Sequence, residues 1–177
     1  LPHDHLEAHG GFENYKRAKT ELFNHLTRYP KKRIANVIIP KVSVVNFDAE
    51  HVSDFLSFAA DRKVGYAVLK NPNDKILTTS GMVDDVITAS DATVRVDGST
   101  FLVRGVPFTL QIRGEWNVSH AVAAIAVGQA LGLSLDLMAK ALAAMPPVPG
   151  RVEFVDAGQD FTVVVDYAPQ AQAVAVL

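Results

Sequence analysis

The order strand, helix, strand in the first half of the chain is the feature that most constrains its fold. Two runs rich in β-branched residues, at 42–46 and 64–69, lie on either side of a segment with helical character at about 49–60. Another such run, at 34–39, comes before them and is separated by Pro40. Parallel strands need a crossover connection, which is usually a helix. The sequence therefore predicts an α/β fold with a mostly parallel sheet flanked by helices.

The pattern changes between about residues 84 and 113. Four short alternating segments, DVITAS, ATVRVDG, STFLVRG and VPFTLQIRG, are joined by turn residues such as Asp97-Gly98 and Gly105. Such spacing is typical of an antiparallel meander. We therefore expect a small antiparallel β meander beside the parallel part of the sheet.

Two helices and two strands are expected after the meander. Segments 117–131 and 135–144 each carry a continuous small or apolar face, and the prolines of MPPVPG end the second helix. Segments 152–155 and 161–165 read as strands. The run TVVVD in the second of them is of the kind found in central parallel strands.

A helix predicted over residues 12–28 places a lysine in an unusual position. Its apolar residues recur at helical spacing, and at about 100° per residue the stripe is centred near Lys19. Burying an ammonium group is costly unless it is paired or neutralised, although a lysine stem can also lie on the core with its amine in solvent. We expect Lys19 to lie in the buried face of this helix.

Histidines come just before that helix, as His3, His5 and His9, with Asp4 among them. This spacing is compatible with a zinc site, but a polar loop is the more common explanation. Another possibility is a magnesium site next to Lys19. A neutral lysine amine can take up CO2 and become a carbamate, which supplies two oxygen ligands suited to a hard cation.

Further polar residues lie at the ends of predicted elements, where α/β folds build their sites. Asn46 and Asp48 follow a strand, and Arg151 follows the rigid PPVPG turn as a possible phosphate ligand. A carboxylate at the end of an apolar strand, Asp166, favours a functional role.

Asn117 and His120 lie one turn apart at the start of a predicted helix, where free N–H groups can meet a ligand. Asn117 could equally be an N-cap.

Composition excludes several classes of function. The 177 residues carry a net charge of -2 and no dense basic cluster, which argues against nucleic acid or an anionic membrane as partner. Without cysteine, a disulfide framework and thiolate metal sites are excluded, and the chain is compatible with the reducing cytoplasm. The longest apolar run is too short to span a bilayer, so we expect no membrane insertion.

Taken together and in this order, the motifs resemble the Mur ligase family. The segment DHLEAHGGFENYKRAK is similar to the family's DHLDYHG…Y..AK, GEWNVSHAVAAIAVGQALG to its G.FNVYNALAAIA.A..LG, and VPGRVEFVDAGQDFTVVVDYA to its VPGRME.V..G..F.V.VDYAH. The first and third are most similar to the UDP-N-acetylmuramoyl-tripeptide synthetase branch.

The resemblance implies a cytoplasmic ligase. Such an enzyme uses ATP and Mg²⁺ to phosphorylate the carboxylate of a UDP-N-acetylmuramoyl peptide, and the amine of an amino acid then attacks the acyl phosphate. Lys19 matches the lysine that is carbamylated in the family. His5 matches a magnesium ligand, so that His5 and Lys19 form the implied metal site. The residues matched to ATP contacts are Asn117, His120, Arg151 and Asp166.

Several departures from the family pattern qualify this resemblance. His120 stands where asparagine is usual, and PQAQ replaces the common HTPD after Ala168. No G-x-x-x-x-G-K-[ST] motif occurs, since none of the 11 glycines precedes a lysine.

We therefore expect residues 1–177 to be the second half of a central ATP-binding domain, without its P-loop part and without the C-terminal ligase domain. Such a fragment is expected to be inactive alone. Two alternatives are a ligase of the folylpolyglutamate or cyanophycin type and a non-catalytic binding module that keeps the fold.

Overall fold

The computed structural model describes residues 6–71, 82–95, 97–168 and 174, and these form five helices and nine strands. In chain order the elements are α1 (Leu6–His9), α2 (Phe12–Arg28), β1 (Arg33–Ile34), β2 (Val37–Ile38), β3 (Val42–Asn46), α3 (Val52–Leu56), β4 (Arg62–Val68), β5 (Asp85–Arg95), β6 (Gly98–Val103), β7 (Val106–Leu110), α4 (Glu115–Ala130), α5 (Leu135–Ala143), β8 (Glu153–Val155) and β9 (Val163–Val165).

A mixed five-stranded sheet with the order β3-β4-β5-β6-β7 organises the fold. The β3–β4 and β4–β5 pairs are parallel, whereas β5–β6 and β6–β7 are antiparallel. The α/β fold and its antiparallel meander are therefore confirmed. Both parts belong to one continuous sheet, because β5 pairs parallel along one edge and antiparallel along the other.

The meander has three strands instead of the predicted four. DVITAS and ATVRVDG form the single strand β5, whose register shifts between Ser90 and Thr93. Asp91 lies inside this irregularity with φ 53°, a conformation that aspartate tolerates better than most residues. The boundary expected between these two segments is thus a β-bulge within one strand.

The main core lies between one face of the sheet and the helices α4 and α5. The buried residues that form it are Val64, Ile87, Ala89, Phe101, Val103, Phe108, Leu110, Val118, Ala121, Val122, Ile125, Ala126 and Met138. Phe101 and Phe108 are partners on neighbouring strands and stack with their centroids 5.4 Å apart. This alternation of inward residues explains why the β-rich runs of the meander fold as strands.

The opposite face of the sheet is covered by smaller elements near β3 and β4. Leu56 of α3 is fully buried, and Val45 of β3 and Ala67 of β4 are also buried. At Gly65 a Cβ atom would come within 2.6 Å of the Phe47 ring, which explains the glycine in this strand.

Two segments in the first half differ from their predicted form. The run at 34–39 is not one strand but part of the hairpin β1–β2, whose turn residues Ala35 and Asn36 have φ values of 45° and 67°. Helix α3 is shorter than the predicted 49–60, and the Ser57 hydroxyl donates a hydrogen bond to the Asp54 carbonyl at its end.

The last strand is not the central parallel strand that TVVVD indicated. β9 pairs antiparallel with β8 in a separate two-stranded sheet, and Val164 and Val165 are 43% and 45% exposed. Within residues 6–71, 82–95 and 97–168, only β8 pairs with it. A hydrophobic run of β-branched residues therefore predicted a strand correctly but not its neighbours.

In the part of the chain that the structure describes, no helix combines the length and the apolar composition that crossing a bilayer needs.

Candidate functional site

The expectation that Lys19 lies in a buried face is wrong. Lys19 is exposed, and its Nζ lies 5.4 Å from the centroid of the Tyr15 ring. The apolar stripe of α2 is broader than its contact with α3, where Phe23 packs edge-on against Phe55. Leu22, on the other flank of the stripe, is 74% exposed. Lys19 lies between these flanks, beyond the area that α3 covers.

Lys16 occupies the covered side of the helix instead. Its ammonium group lies 3.1 Å from carboxylate oxygens of both Glu13 and Asp54, and the second contact joins α2 to α3. Hydrogen bonds to Asp54 and then Glu13 raise the pKa of Lys16 above its ordinary value. His51 also lies beside Asp54, with 3.7 Å between Nδ1 and the carboxylate. The Lys16–Asp54 ion pair therefore joins the helix that carries Lys19 to α3.

The metal site expected at His5 and Lys19 is described only in part. His5, like His3 and Asp4, lies outside the described residues. Within the described ranges, no group of three or more histidine or acidic side chains is arranged to hold a metal ion. His9 packs edge-on against Tyr15, with ring centroids 5.3 Å apart. His9 therefore packs against the aromatic ring of Tyr15.

Asn117 and His120 lie together at the start of α4. The N-cap is Gly114, so the interpretation of Asn117 as the N-cap is wrong. Its side-chain amide instead donates to the carbonyl of Arg113, and its Oδ1 lies 3.4 Å from Nδ1 of the exposed His120. The imidazole therefore lies exposed at the start of α4, next to the Asn117 side chain.

Arg151 and Asp166 are brought together by the β8–β9 hairpin. Asp166 Oδ2 accepts a hydrogen bond of 2.7 Å from the Val152 backbone N–H. The Arg151 guanidinium donates to the Tyr167 carbonyl at 3.3 Å and lies 5.6 Å from the centroid of that ring. Arg151 is exposed, and Asp166 is half-buried. The two predicted residues are thus neighbours, although 15 positions separate them in the sequence.

Arg113 connects these two groups of residues. Its carbonyl accepts from Asn117, and its guanidinium lies 3.4 Å from the ring centroid of Phe154 in β8. A cation–π contact contributes about 0.5–1 kcal/mol at an exposed site, and this one joins the β8–β9 hairpin to the segment before α4. Sequence reasoning missed Arg113, and its place directly before the Gly114 turn was the available signal.

Asn46 and Asp48 have structural partners. Asn46 Oδ1 accepts from the Asp48 backbone N–H at 2.8 Å, and Asp48 Oδ2 accepts from the Val68 backbone N–H at 3.0 Å. Burial and the nearby Asp48 carboxylate raise the pKa of Tyr66. These side chains therefore order the carboxyl ends of β3 and β4.

The parallel strands, the meander and the helix pair form an α/β domain built on one mixed sheet. The model of the Mur ligase middle domain matches residues 1–128, which is more than half of the chain. The chain therefore belongs to the Mur ligase family.

The named relatives belong to the same family. The UDP-N-acetylmuramoyl-L-alanyl-D-glutamate–2,6-diaminopimelate ligase of Geobacillus kaustophilus is 36% identical over 172 residues, covering 95% of the chain and 32% of that protein. A UDP-N-acetylmuramyl-tripeptide synthetase of Roseiflexus is 34% identical over 171 residues, covering 93% of the chain and 31% of that protein. The chain thus spans about a third of the length of these relatives.

Solved structures of low sequence identity share the fold. MurF from Acinetobacter baumannii superposes with a TM-score of 0.69 at 22% identity, over 99% of the chain and 34% of that structure. MurC from Thermotoga maritima gives a TM-score of 0.61 at 21% identity, over 98% of the chain and 34% of that structure.

Proposed function

We propose that the chain is part of an ATP-dependent ligase that adds an amino acid to a UDP-N-acetylmuramoyl peptide during peptidoglycan precursor synthesis. The observation that carries this proposal is the 36% identity to a 2,6-diaminopimelate ligase over 95% of the chain. A tripeptide synthetase is nearly as similar. Such substrates are made in the cytoplasm, where we place the protein.

The proposed place of the chain in the whole enzyme is the second half of the central ATP-binding domain. The family model covers residues 1–128 and the relatives extend over about three times the length of the chain. In this proposal a P-loop part precedes the chain and a C-terminal ligase domain follows it. The chain alone would then lack both the phosphate loop and the amino acid site.

The chemistry we propose has two balanced steps. The carboxylate of the peptide attacks the γ-phosphorus of ATP, which forms an acyl phosphate and releases ADP. The amine of the amino acid then attacks the acyl carbon, so that an amide forms and phosphate leaves with loss of the amine proton. Phosphoryl transfer of this kind depends mainly on charge neutralisation and positioning.

We assign Asn117, His120, Arg151 and Asp166 to the nucleotide. The guanidinium of Arg151 suits phosphate oxygens, because its planar donors can bind two of them at once. The exposed imidazole of His120, oriented by Asn117, suits the base or ribose. The contact between Arg113 and Phe154 supports this assignment, because it joins the two pairs.

The proposed magnesium site combines His5 with a carbamate on Lys19. The exposure of Lys19 fits this chemistry, because its amine is accessible to CO2 and to a ligand. Carbamate formation joins Nζ to the carbon of CO2; starting from the ammonium form, two protons are lost and the charge of the side chain changes from positive to negative. Bound magnesium would neutralise charge on the phosphates. The acidic groups of the described residues supply no complete site, so the remaining ligands would come from elsewhere, including the nucleotide.

Phosphate release by the full-length protein tests the proposal. We expect release that requires ATP, magnesium, a UDP-N-acetylmuramoyl dipeptide and an amino acid together. Turnover only with a folate or an aspartate polymer as acceptor would instead assign a folylpolyglutamate or cyanophycin type of ligase. Absence of turnover with every acceptor would favour a non-catalytic module.

A further inference from the structure

The turn that carries Arg151 is held by an unusual set of backbone contacts. Three consecutive N–H groups are all bonded: Gly150 donates to Glu153 Oε2 at 2.7 Å, Arg151 to the Val148 carbonyl at 3.1 Å, and Val152 to Asp166 Oδ2 at 2.7 Å. Two carboxylates therefore hold the residues on either side of Arg151.

The conformation of this turn explains why it needs such support. Val152 has φ 48°, and a β-branched residue is rarely found in this left-handed region, because its branched side chain crowds the backbone. Gly150, with φ 69°, adopts the same region without that cost. The turn would therefore relax without its hydrogen bonds, and the direction of Arg151 would change with it.

The hairpin also holds the turn from the side of β9. The Tyr167 backbone N–H donates to the Gly150 carbonyl at 2.8 Å, and the Tyr167 carbonyl accepts from the Arg151 guanidinium. In the described residues neither Glu153 nor Asp166 forms an ion pair with Arg151. The guanidinium thus keeps donors for an anion while the carboxylates hold its backbone.

We infer that Glu153 and Asp166 are positioning residues for Arg151. By accepting the N–H groups of Gly150 and Val152, they keep the turn in its left-handed conformation and direct the guanidinium toward a nucleotide phosphate. This inference rests on the proposed function, in which Arg151 contacts ATP. It adds Glu153 to the site and gives Asp166 a second role besides contact with the nucleotide.

Glu153 gives the cleaner test, because the proposed function assigns it no ligand. In the full-length protein, the dissociation constant for ATP with magnesium is measured by calorimetry. We expect Glu153→Ala to weaken ATP binding about tenfold, since a hydrogen bond to a charged acceptor is lost. Glu153→Gln keeps an oxygen acceptor and should stay within about threefold of the unchanged protein.

Asp156→Ala is the matched control. Asp156 Oδ1 accepts the Gly158 N–H at 2.9 Å in the same hairpin, so its loss removes a similar bond away from Arg151. We expect ATP binding to stay within about twofold. If Asp156→Ala weakens binding as much as Glu153→Ala, the effect is general loosening of the hairpin and the inference is overturned.

Val152→Gly separates the two roles of Asp166. Glycine adopts the left-handed conformation without support, so adding Val152→Gly to Asp166→Ala should recover at least about threefold of the lost affinity if Asp166 acts through the turn. No recovery would mean that Asp166 acts only by direct contact, which overturns the inference for Asp166.

Hydrogen exchange at the Gly150 and Val152 amides provides a readout independent of the ligand. We expect Glu153→Ala to speed exchange at Gly150, and Asp166→Ala at Val152. Faster exchange with unchanged ATP affinity would overturn the positioning role.

ATP binding needs no peptide acceptor, so the inference and the proposed function can fail separately. If the variants change ATP affinity as expected but the unchanged protein turns over no acceptor, only the proposed function is contradicted. If Arg151→Ala leaves ATP affinity unchanged, the inference fails together with the nucleotide role of Arg151.

Discussion

The two sides of the domain differ in how much of their apolar surface is buried. Helices α4 and α5 cover the meander face of the sheet, where Phe101 is 2% exposed. The outer faces of α4 and α5 also expose Trp116 and Leu137. In contrast to α4, however, α2 buries only Tyr15, and the β8–β9 hairpin buries none of its residues, with Phe161 65% exposed. The elements that carry Lys19, Arg151 and Asp166 are therefore the less covered ones. This contrast is typical of proteins whose binding residues lie on peripheral segments positioned by a rigid scaffold.

Removing a large side chain on each side of the domain should have unequal effects on stability. We expect Phe101→Ala to lower the free energy of unfolding by about 3–5 kcal/mol, because it opens a cavity in the core. Phe161→Ala should cost less than about 0.5 kcal/mol, since its ring is already largely in solvent. Urea unfolding of both variants measures the difference. Equal losses would show that the hairpin is as well packed as the core.

Enzymatic activity, unlike stability, should depend strongly on a residue of the less buried side, Lys19. In the full-length protein, Lys19→Ala should lower kcat about 100-fold or more, because the proposed carbamate, a charged magnesium ligand near the phosphates, would be lost. Arg17→Ala, on the same exposed helix, should leave kcat within about twofold.

Chemical rescue sharpens this test of Lys19. A short carboxylic acid could replace the carbamate and restore some turnover of Lys19→Ala, whereas bicarbonate should not. Near-normal turnover of Lys19→Ala would contradict the carbamate assignment.

The contact between Arg113 and Phe154 lies at the boundary of the two regions. Arg113→Ala should lower the free energy of unfolding by about 0.5–1 kcal/mol through loss of the cation–π contact. Arg95, exposed at the end of β5, serves as the control and should have almost no effect when changed to alanine. A loss with Arg95→Ala as large as with Arg113→Ala would show that the contact contributes no stability of its own.

The smallest expected effect concerns Asp61. A hydrogen bond from Lys31, then one from the Lys41 backbone, lowers the pKa of its carboxyl below the ordinary value of 3.8. A carboxyl whose pKa falls on folding stabilises the fold above its unfolded pKa, and this contribution is lost as the pH falls through the folded value. Asp61→Asn should therefore make unfolding slightly less pH-dependent below about pH 4. An unchanged acid transition would contradict this contribution.

Much of the scaffold could be predicted from sequence because its signals are local. The bounds of α2 were predicted as observed, and the starts and ends of α4 and α5 were close. The predictions that were wrong depended on which elements pack or pair with each other. The apolar stripe around Lys19 is present in α2, but periodicity does not reveal that α3 is too short to cover the whole stripe. Likewise, the valines of β9 indicated a strand without indicating which strand pairs with it.

The candidate site was predictable only as separate residues. Asn117, His120, Arg151 and Asp166 were found from motifs, and their roles remain predictions. Glu153 falls within the VPGRVE motif, but the motif alone did not indicate that its carboxylate accepts the Gly150 N–H.

The double pairing of β5 has a consequence for how the chain folds. Every member of the main core cluster except Val64 lies in the continuous stretch from β5 to α5. Contacts between segments near each other in the chain close small loops and form early, whereas parallel pairing must wait for a longer loop to close. We therefore expect β5, β6 and β7 to gain protection before β3 when amide exchange is pulsed during refolding. In kinetic terms, β5 is the template on which the parallel half of the sheet assembles.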